Sequence, residues 1–363
     1  DASSAVDTSV HIANGKDVHA LLRRRPFATK RVGGKELLRC VSGTTLLKLS
    51  LDADADKASI LNPDKPLERR PFAHVLWQWC IHTNGSREAA ISHLRNLKEA
   101  CVHHAQRPQV AATRINAFRC LTGVGLKPTD ERWSSQKAVL YLAAVQLLMP
   151  EAEKGYDHAE RAFACEICYI PLAQSQKCVS SLVVEPTLLQ TLAATVSETA
   201  AEELSAGRSP SGSAVPIDWM LEVIMQAWDD ALIPGRQQLH QTFLRADANS
   251  DGMFTLAEFS MLVNTVRQDW TDGAVFAFFD DCLHQSELIL GYETDAILLE
   301  AFVSCALEHE LLVEPQKSFR LTPPDAAGTP AKSKRTSHGS GASAGSKMPV
   351  IGAAIDPNRL RSP

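Results

Sequence analysis

Residues 247–258, "DANSDGMFTLAE", place oxygen-bearing side chains at fixed offsets. Asp247 stands at position one, Asn249 at three, Asp251 at five, Thr255 at nine and Glu258 at twelve. Gly252 fills position six, where a chain wrapping around a point must bend sharply and where a missing Cβ removes the steric cost. Hard cations such as Ca2+ take six to eight oxygen ligands, and one twelve-residue loop of this pattern supplies most of them. Met253 at position seven offers its backbone carbonyl, so its side chain is irrelevant to coordination. Thr255 contributes directly or through a water, and Glu258 with both carboxylate oxygens. The expected metal ligands are therefore Asp247, Asn249, Asp251, Met253, Thr255 and Glu258.

The flanks agree with the loop. Leu239 and Phe243 precede it at helical spacing, and Phe259, Leu262, Val263 and Val266 follow it, as the apolar faces of an entering and a leaving helix. Phe254 at position eight is apolar, as where two paired loops touch through a short β-bridge. Across 236–268 the chain resembles the EF-hand calcium-binding family, which implies a helix–loop–helix and bound Ca2+, with Mg2+ as the alternative occupant at rest. The competing reading is a surface Asp/Asn turn between two helices, which needs neither Gly252 nor Glu258 at those offsets. Three carboxylates and one neutral amide suggest an affinity on the order of micromolar.

Hands of this kind pair, and "YETDAILLEAFVSCA" (292–306) reads as the second half of another. Ile297 aligns with Phe254 and Phe302 with Phe259, but positions one, three and twelve fall on Leu290, Tyr292 and Ala301. This hand is expected to keep its helices, hold no ion and brace its neighbour. "DADAD" (52–56) mimics the start of a loop, yet position six is Lys57 and position twelve Pro63, so a solvated acidic turn is expected there.

The rest of the chain sets the context. At 363 residues two or three domains are the prior. Aromatics are 6% while Ala and Leu abound, which favours helices. A net charge of −5 argues against a dedicated nucleic-acid binder. Nine scattered cysteines in apolar helical patterns resemble reduced thiols, and no apolar run is long enough for a membrane span, so a cytoplasmic location is expected. The chain begins with Asp1, which leaves room for an upstream segment.

The expected fold class is all-α. A weakly structured segment (1–66) includes a short helix in "DVHALLRRRPF" and another after "RVGGKELLRC". A helical domain (67–207) follows, with helices at "FAHVLWQWCIHT", "SREAAISHLRNLKEACVHHA", "PQVAATRINAFRCLTG", "SSQKAVLYLAAVQLLMP", "GYDHAERAFACEICYI" and "EPTLLQTLAATVSETAAEELSAG". "NGS" (84–86) marks a helix end followed by a capping Ser86. Residues 208–216 read as a Gly/Ser/Pro linker, 217–315 as the EF-hand pair, and 316–363 as a low-complexity tail. Pro234 is expected to end the helix "IDWMLEVIMQAWDDALIP", which would then pack on the apolar cleft of the hands.

Other chemistry reads weakly. "CEIC" (165–168), with His158 and Cys178, could be drawn as a zinc or redox site, but its pattern is helical and no second close pair exists. The basic clusters 23–31 and 332–335 could meet an acidic partner, and solvated segments are the commoner explanation. No arrangement of nucleophile, histidine and carboxylate is readable, so no enzyme and no small-molecule substrate is expected. The texture of 72–310 is similar to EF-hand proteins of ciliary and flagellar axonemes. That likeness implies a scaffold or docking subunit of a microtubule-based assembly, with tubulin or axonemal proteins as partners. A soluble sensor that binds partners reversibly, and a structural protein with a non-regulatory hand, are the alternatives.

Overall fold

A computed structural model of the chain describes residues 32–63, 67–105, 111–126, 133–150, 162–209, 212–309, 311 and 318–321. All of them belong to one compact unit. The expected short helix in 17–27, both basic clusters, and the tail beyond 321 lie outside the described residues. Among the described residues there are eleven helices and two two-stranded ladders, so the all-α class holds.

α1 (Gly34–Leu61) begins where a weakly structured segment was expected. Leu37, Leu38, Val41 and Leu46 recur on its buried side. The "DADAD" stretch is its last third and not an acidic turn. Its alanines favour helix, and two of its three carboxylates are paired: Lys48 Nζ lies 2.5 Å from both oxygens of Asp52, and Arg69 reaches Asp56 at 2.8 Å, while Asp54 is exposed. α2 (Phe72–Asn84), α3 (Arg87–Ala105) and α4 (Ala112–Thr122) close a first core with α1 around Trp77, Cys80, Leu94, Leu97 and Phe118. Ser86 accepts the N–H of Ala89 at 3.2 Å, as its capping role required. Gly43 of α1 meets the Trp79 ring of α2, and a Cβ there would stand 2.4 Å from the indole nitrogen.

A second core runs from α4 to Phe319. It is built by α5 (Ser135–Leu148), α6 (Leu172–Leu182), α7 (Pro186–Ser205), α8 (Ile217–Ala246), α9 (Leu256–Val266), α10 (Asp272–Leu290) and α11 (Leu299–Glu308). α4 stands between the cores, with Ala117 in the second and Ile115 and Phe118 in the first.

Three expectations are corrected here. Among the described residues helical backbone stops at Phe163, before "CEIC", which forms bends leading into β1 (Tyr169–Pro171). The supposed linker contains β2 (Ala214–Pro216), paired antiparallel with β1, and Ala214 and Val215 are buried. Pro234 does not end its helix: α8 runs on to Ala246. The proline sits on the exposed face, where the Asp230 carbonyl that loses its partner meets water, while Leu232, Leu239 and Phe243 continue the buried stripe. α8 therefore belongs to the helical body and also leads directly into residues 247–258, and its main packing is on α4, α5 and α11. Phe319, inside the expected tail, is buried against Trp228 and bridged to Val183.

One buried cation organises the junction. Arg114 of α4 is 0% exposed, and its Nε and Nη2 reach Asp218 in the first turn of α8 at 2.8–3.1 Å. It also donates to the carbonyls of Phe163, Cys165 and Glu166.

Gly43→Ala is expected to cost about 1–3 kcal/mol in denaturant unfolding, because the Trp79 ring must shift. Gly273→Ala, in the first turn of a later helix and with only the Thr271 hydroxyl at 3.9 Å from its Cβ, serves as the control and is expected to be neutral or slightly stabilising. Asp218→Asn should cost about 3–5 kcal/mol by leaving a buried guanidinium without its counter-charge, and Arg114→Met combined with Asp218→Leu should recover much of that.

Candidate metal centre

The twelve-residue loop starts where α8 ends. Asp247 is the C-cap of that helix, its N–H bonded to the Phe243 carbonyl at 2.9 Å. The chain then turns through two left-handed residues, Ser250 (φ 56°) and Gly252 (φ 79°). Nothing lies within 4 Å of a Cβ at Gly252, so its requirement there is purely conformational. β3 (Met253–Phe254) follows, and Thr255 caps α9.

The expected ligands are brought into one loop, and each is engaged differently. Asp247 is buried at 5% exposure; its Oδ2 accepts the N–H of Gly252 at 2.9 Å, and its Oδ1 is buried with no hydrogen-bond partner. Asn249 Oδ1 accepts the N–H of Asp251 at 3.1 Å, and its amide donates to Asp251 Oδ2 at 2.8 Å. Asp251 Oδ1 accepts the Met253 N–H at 2.8 Å. Glu258 Oε2 accepts the N–H and the Oγ–H of Thr255 at 3.0 and 2.8 Å, and Oε1 accepts the Ala248 N–H at 3.3 Å. Thr255 Oγ1 accepts the Glu258 N–H in return, which completes a capping box.

Electrostatics follow this bonding. The Thr255 backbone N–H, with its hydroxyl, holds the Glu258 carboxyl below the usual carboxylate range. Among the described residues, no group of three or more His, Cys, Asp or Glu side chains is arranged to hold an ion. The exposed carboxylates are turned onto neighbouring donors. The donor set nevertheless suits a hard cation, all of it oxygen, and the unpartnered Asp247 oxygen marks where charge is uncompensated.

The second loop braces the first. β4 (Ile297–Leu298) pairs antiparallel with β3, Phe254 opposite Ile297 and Met253 opposite Leu298, which is the register the sequence alignment implied. Phe254 stacks on Phe243 with ring centroids 3.8 Å apart, and Phe302 closes on both at 5.4–5.6 Å. Ala301, at the position of Glu258, is fully buried, so a methyl group occupies the core where a carboxylate would otherwise be. Ser286 of α10, which sequence reading missed, donates to the Cys282 carbonyl and accepts the Leu298 N–H at 3.0 Å. Its signal was a hydroxyl on the face that the helical period buries.

The cysteine pair resolves differently. Cys165 is exposed and Cys168 buried, on bends and not on the expected helix, and burial pushes the Cys168 thiol up. Cys178 is buried on α6, and His158 lies outside the described residues. No family model, no curated protein and no solved structure matches the chain.

An NMR titration of the Glu258 side-chain carboxyl should give a midpoint below the ordinary Glu value of 4.5, and Thr255→Val should move it upward. The sign follows from linkage: the carboxylate's contribution to the start of α9 is present above the ordinary Glu range and lost as pH falls through the lowered folded pKa. A midpoint at or above 4.5 in the intact chain contradicts the capping geometry.

Proposed function

We propose that 236–308 is an EF-hand pair that holds one Ca2+ at 247–258, and that the chain is a non-enzymatic calcium-binding scaffold or docking subunit. One observation carries the ion: a carboxylate oxygen of Asp247 is buried without a partner. A buried acceptor oxygen left unpaired costs about 1–3 kcal/mol, and a cation in the loop would offset that cost. Asp247, Asn249, Asp251, the Met253 carbonyl, Thr255 and Glu258 would hold it, so that the ion links the end of α8 to the first turn of α9. When bound it supplies a crosslink and no reaction.

The scaffold reading is supported by α8, which is at once the entering helix of the loop and a core element of the helical body. The same continuity favours, as the second reading, a hand that only stiffens the fold. The resemblance to axonemal proteins directs the search for partners toward microtubule-based assemblies, and the calcium reading does not depend on it.

Calorimetry on the full chain should show one Ca2+ site with Kd on the order of micromolar. Glu258→Gln should weaken it by at least about tenfold, the loss of a charged bidentate ligand being worth more than 1.4 kcal/mol. Neither heat nor a rise in melting temperature with millimolar Ca2+ would overturn the reading. A melting shift without any partner captured in Ca2+ favours the stiffening hand.

A further inference from the structure

Cysteines that are scattered in the sequence meet in the fold. Among the described residues two pairs stand thiol to thiol: Cys40 of α1 with Cys80 of α2, and Cys282 of α10 with Cys305 of α11. The first pair is sealed in its core, 0% exposed at both residues. In the second, Cys282 is 0% exposed and Cys305 7%, so that pair meets the surface through Cys305.

Contacts on either side fix the second pair. One turn after Cys282, Ser286 accepts the Leu298 N–H at 3.0 Å. One turn before it, the Phe278 ring lies 6.2 Å from that of Phe302 and 4.9 Å from that of His309. Asp281 reaches His309 at 3.0 Å. Phe278, Cys282 and Ser286 follow at four-residue spacing along one face of α10; Phe302, Cys305 and His309 follow at three- and four-residue spacing at the end of the chain that faces it. Cys282 and Cys305 are the middle members of these two rows. The seam matters for the fold, because the principal packing partners of α10 are α11, β4 and α9, and α11 in turn packs on α8.

We infer that Cys282 and Cys305 are a peroxide-sensitive pair that closes to a reversible disulfide between α10 and α11. The inference stands on the packing of these two helices and does not depend on calcium binding. Burial, and then the adjoining Cys305 thiol, push the Cys282 thiol up, so oxidation starts at Cys305. The Cys305 sulfur attacks one oxygen of hydrogen peroxide and the O–O bond breaks; the thiol proton leaves with the departing hydroxide as water, and Cys305 becomes a sulfenic acid. The Cys282 sulfur then attacks the sulfenic sulfur and displaces hydroxide, which takes the Cys282 proton as a second water. Two thiols lose two electrons in all, and one peroxide is reduced to two waters.

The test uses the full chain carrying Cys165→Ser, which removes the exposed thiol. The protein is reduced, freed of reductant, treated with hydrogen peroxide under native conditions, alkylated with iodoacetamide in denaturant, and digested without reductant. Mass spectrometry should recover the Cys282 and Cys305 peptides joined to each other. The bond closes a loop of roughly two dozen residues, so the melting temperature should rise by about 5 °C and fall back on adding dithiothreitol. Cys305→Ala should abolish both effects; if that variant does not fold, the peptide map of the Cys165→Ser chain decides alone. Alkylated Cys282 after oxidation, either residue joined to a different cysteine, or a joined pair that leaves the melting temperature unchanged or lowers it, overturns the inference.

Discussion

A guanidinium with no contact to water tolerates few surroundings, and Arg114 sets the terms for the rest of this fold. Its charge needs a carboxylate and its five N–H donors need acceptors, because an unpaired buried charge costs several kcal/mol. Asp218 supplies the charge and the carbonyls of Phe163 and Cys165 supply further acceptors. Satisfying one side chain thus joins α4, the bends before β1 and the first turn of α8, which are far apart in the chain. Asp218 also suits the positive end of the α8 dipole. Two cores that share α4 are thereby given one orientation.

From that node α8 carries the constraint outward. Its thirty residues begin at the buried ion pair and end at the first residue of the loop. A helix of this length spans roughly 45 Å at 1.5 Å per residue, so its far end could move freely if it were unsupported. Lys137 on Asp229 and Trp228 on Phe319 hold its middle, and the aromatic stack of Phe243, Phe254 and Phe302 holds its end. The loop is accordingly presented by the body, not suspended from it.

Much of the helix–loop–helix around 247–258 was legible because its chemistry is local. The offsets of Asp247 to Glu258 lie within one loop, and the apolar phase of Phe254 and Ile297 fixed the register of β3 on β4. What failed was judged locally but decided elsewhere in the fold. "DADAD" reads as a turn until Lys48 and Arg69 pair two of its three carboxylates. Pro234 reads as a stop until its face proves to be the wet one. "CEIC" continues a helical period, but the Arg114 guanidinium draws the Cys165 carbonyl out of it. "SAVP" is too short to show alternation between Gly, Ser and Pro neighbours, and pairing with "YIP" made it a strand. Arg114 itself was visible as a charge in the apolar stripe of "TRINAF", although its partner, 104 residues on, was not.

The hydrogen bonds within residues 247–258 explain how this loop keeps its shape. Asn249 bridges to Asp251, Asp251 takes the Met253 N–H, and Glu258 closes the ring through Thr255 and Ala248. Two of the three carboxylates are thus exposed and satisfied by protein donors, at little cost. Asp247 is not, since the ring gives it one partner for two buried oxygens. The buried Ala301 across the ladder means the second loop adds packing and no charge. The carboxylate oxygen that is buried without a partner therefore lies at the end of α8, the helix whose first turn Arg114 holds through Asp218.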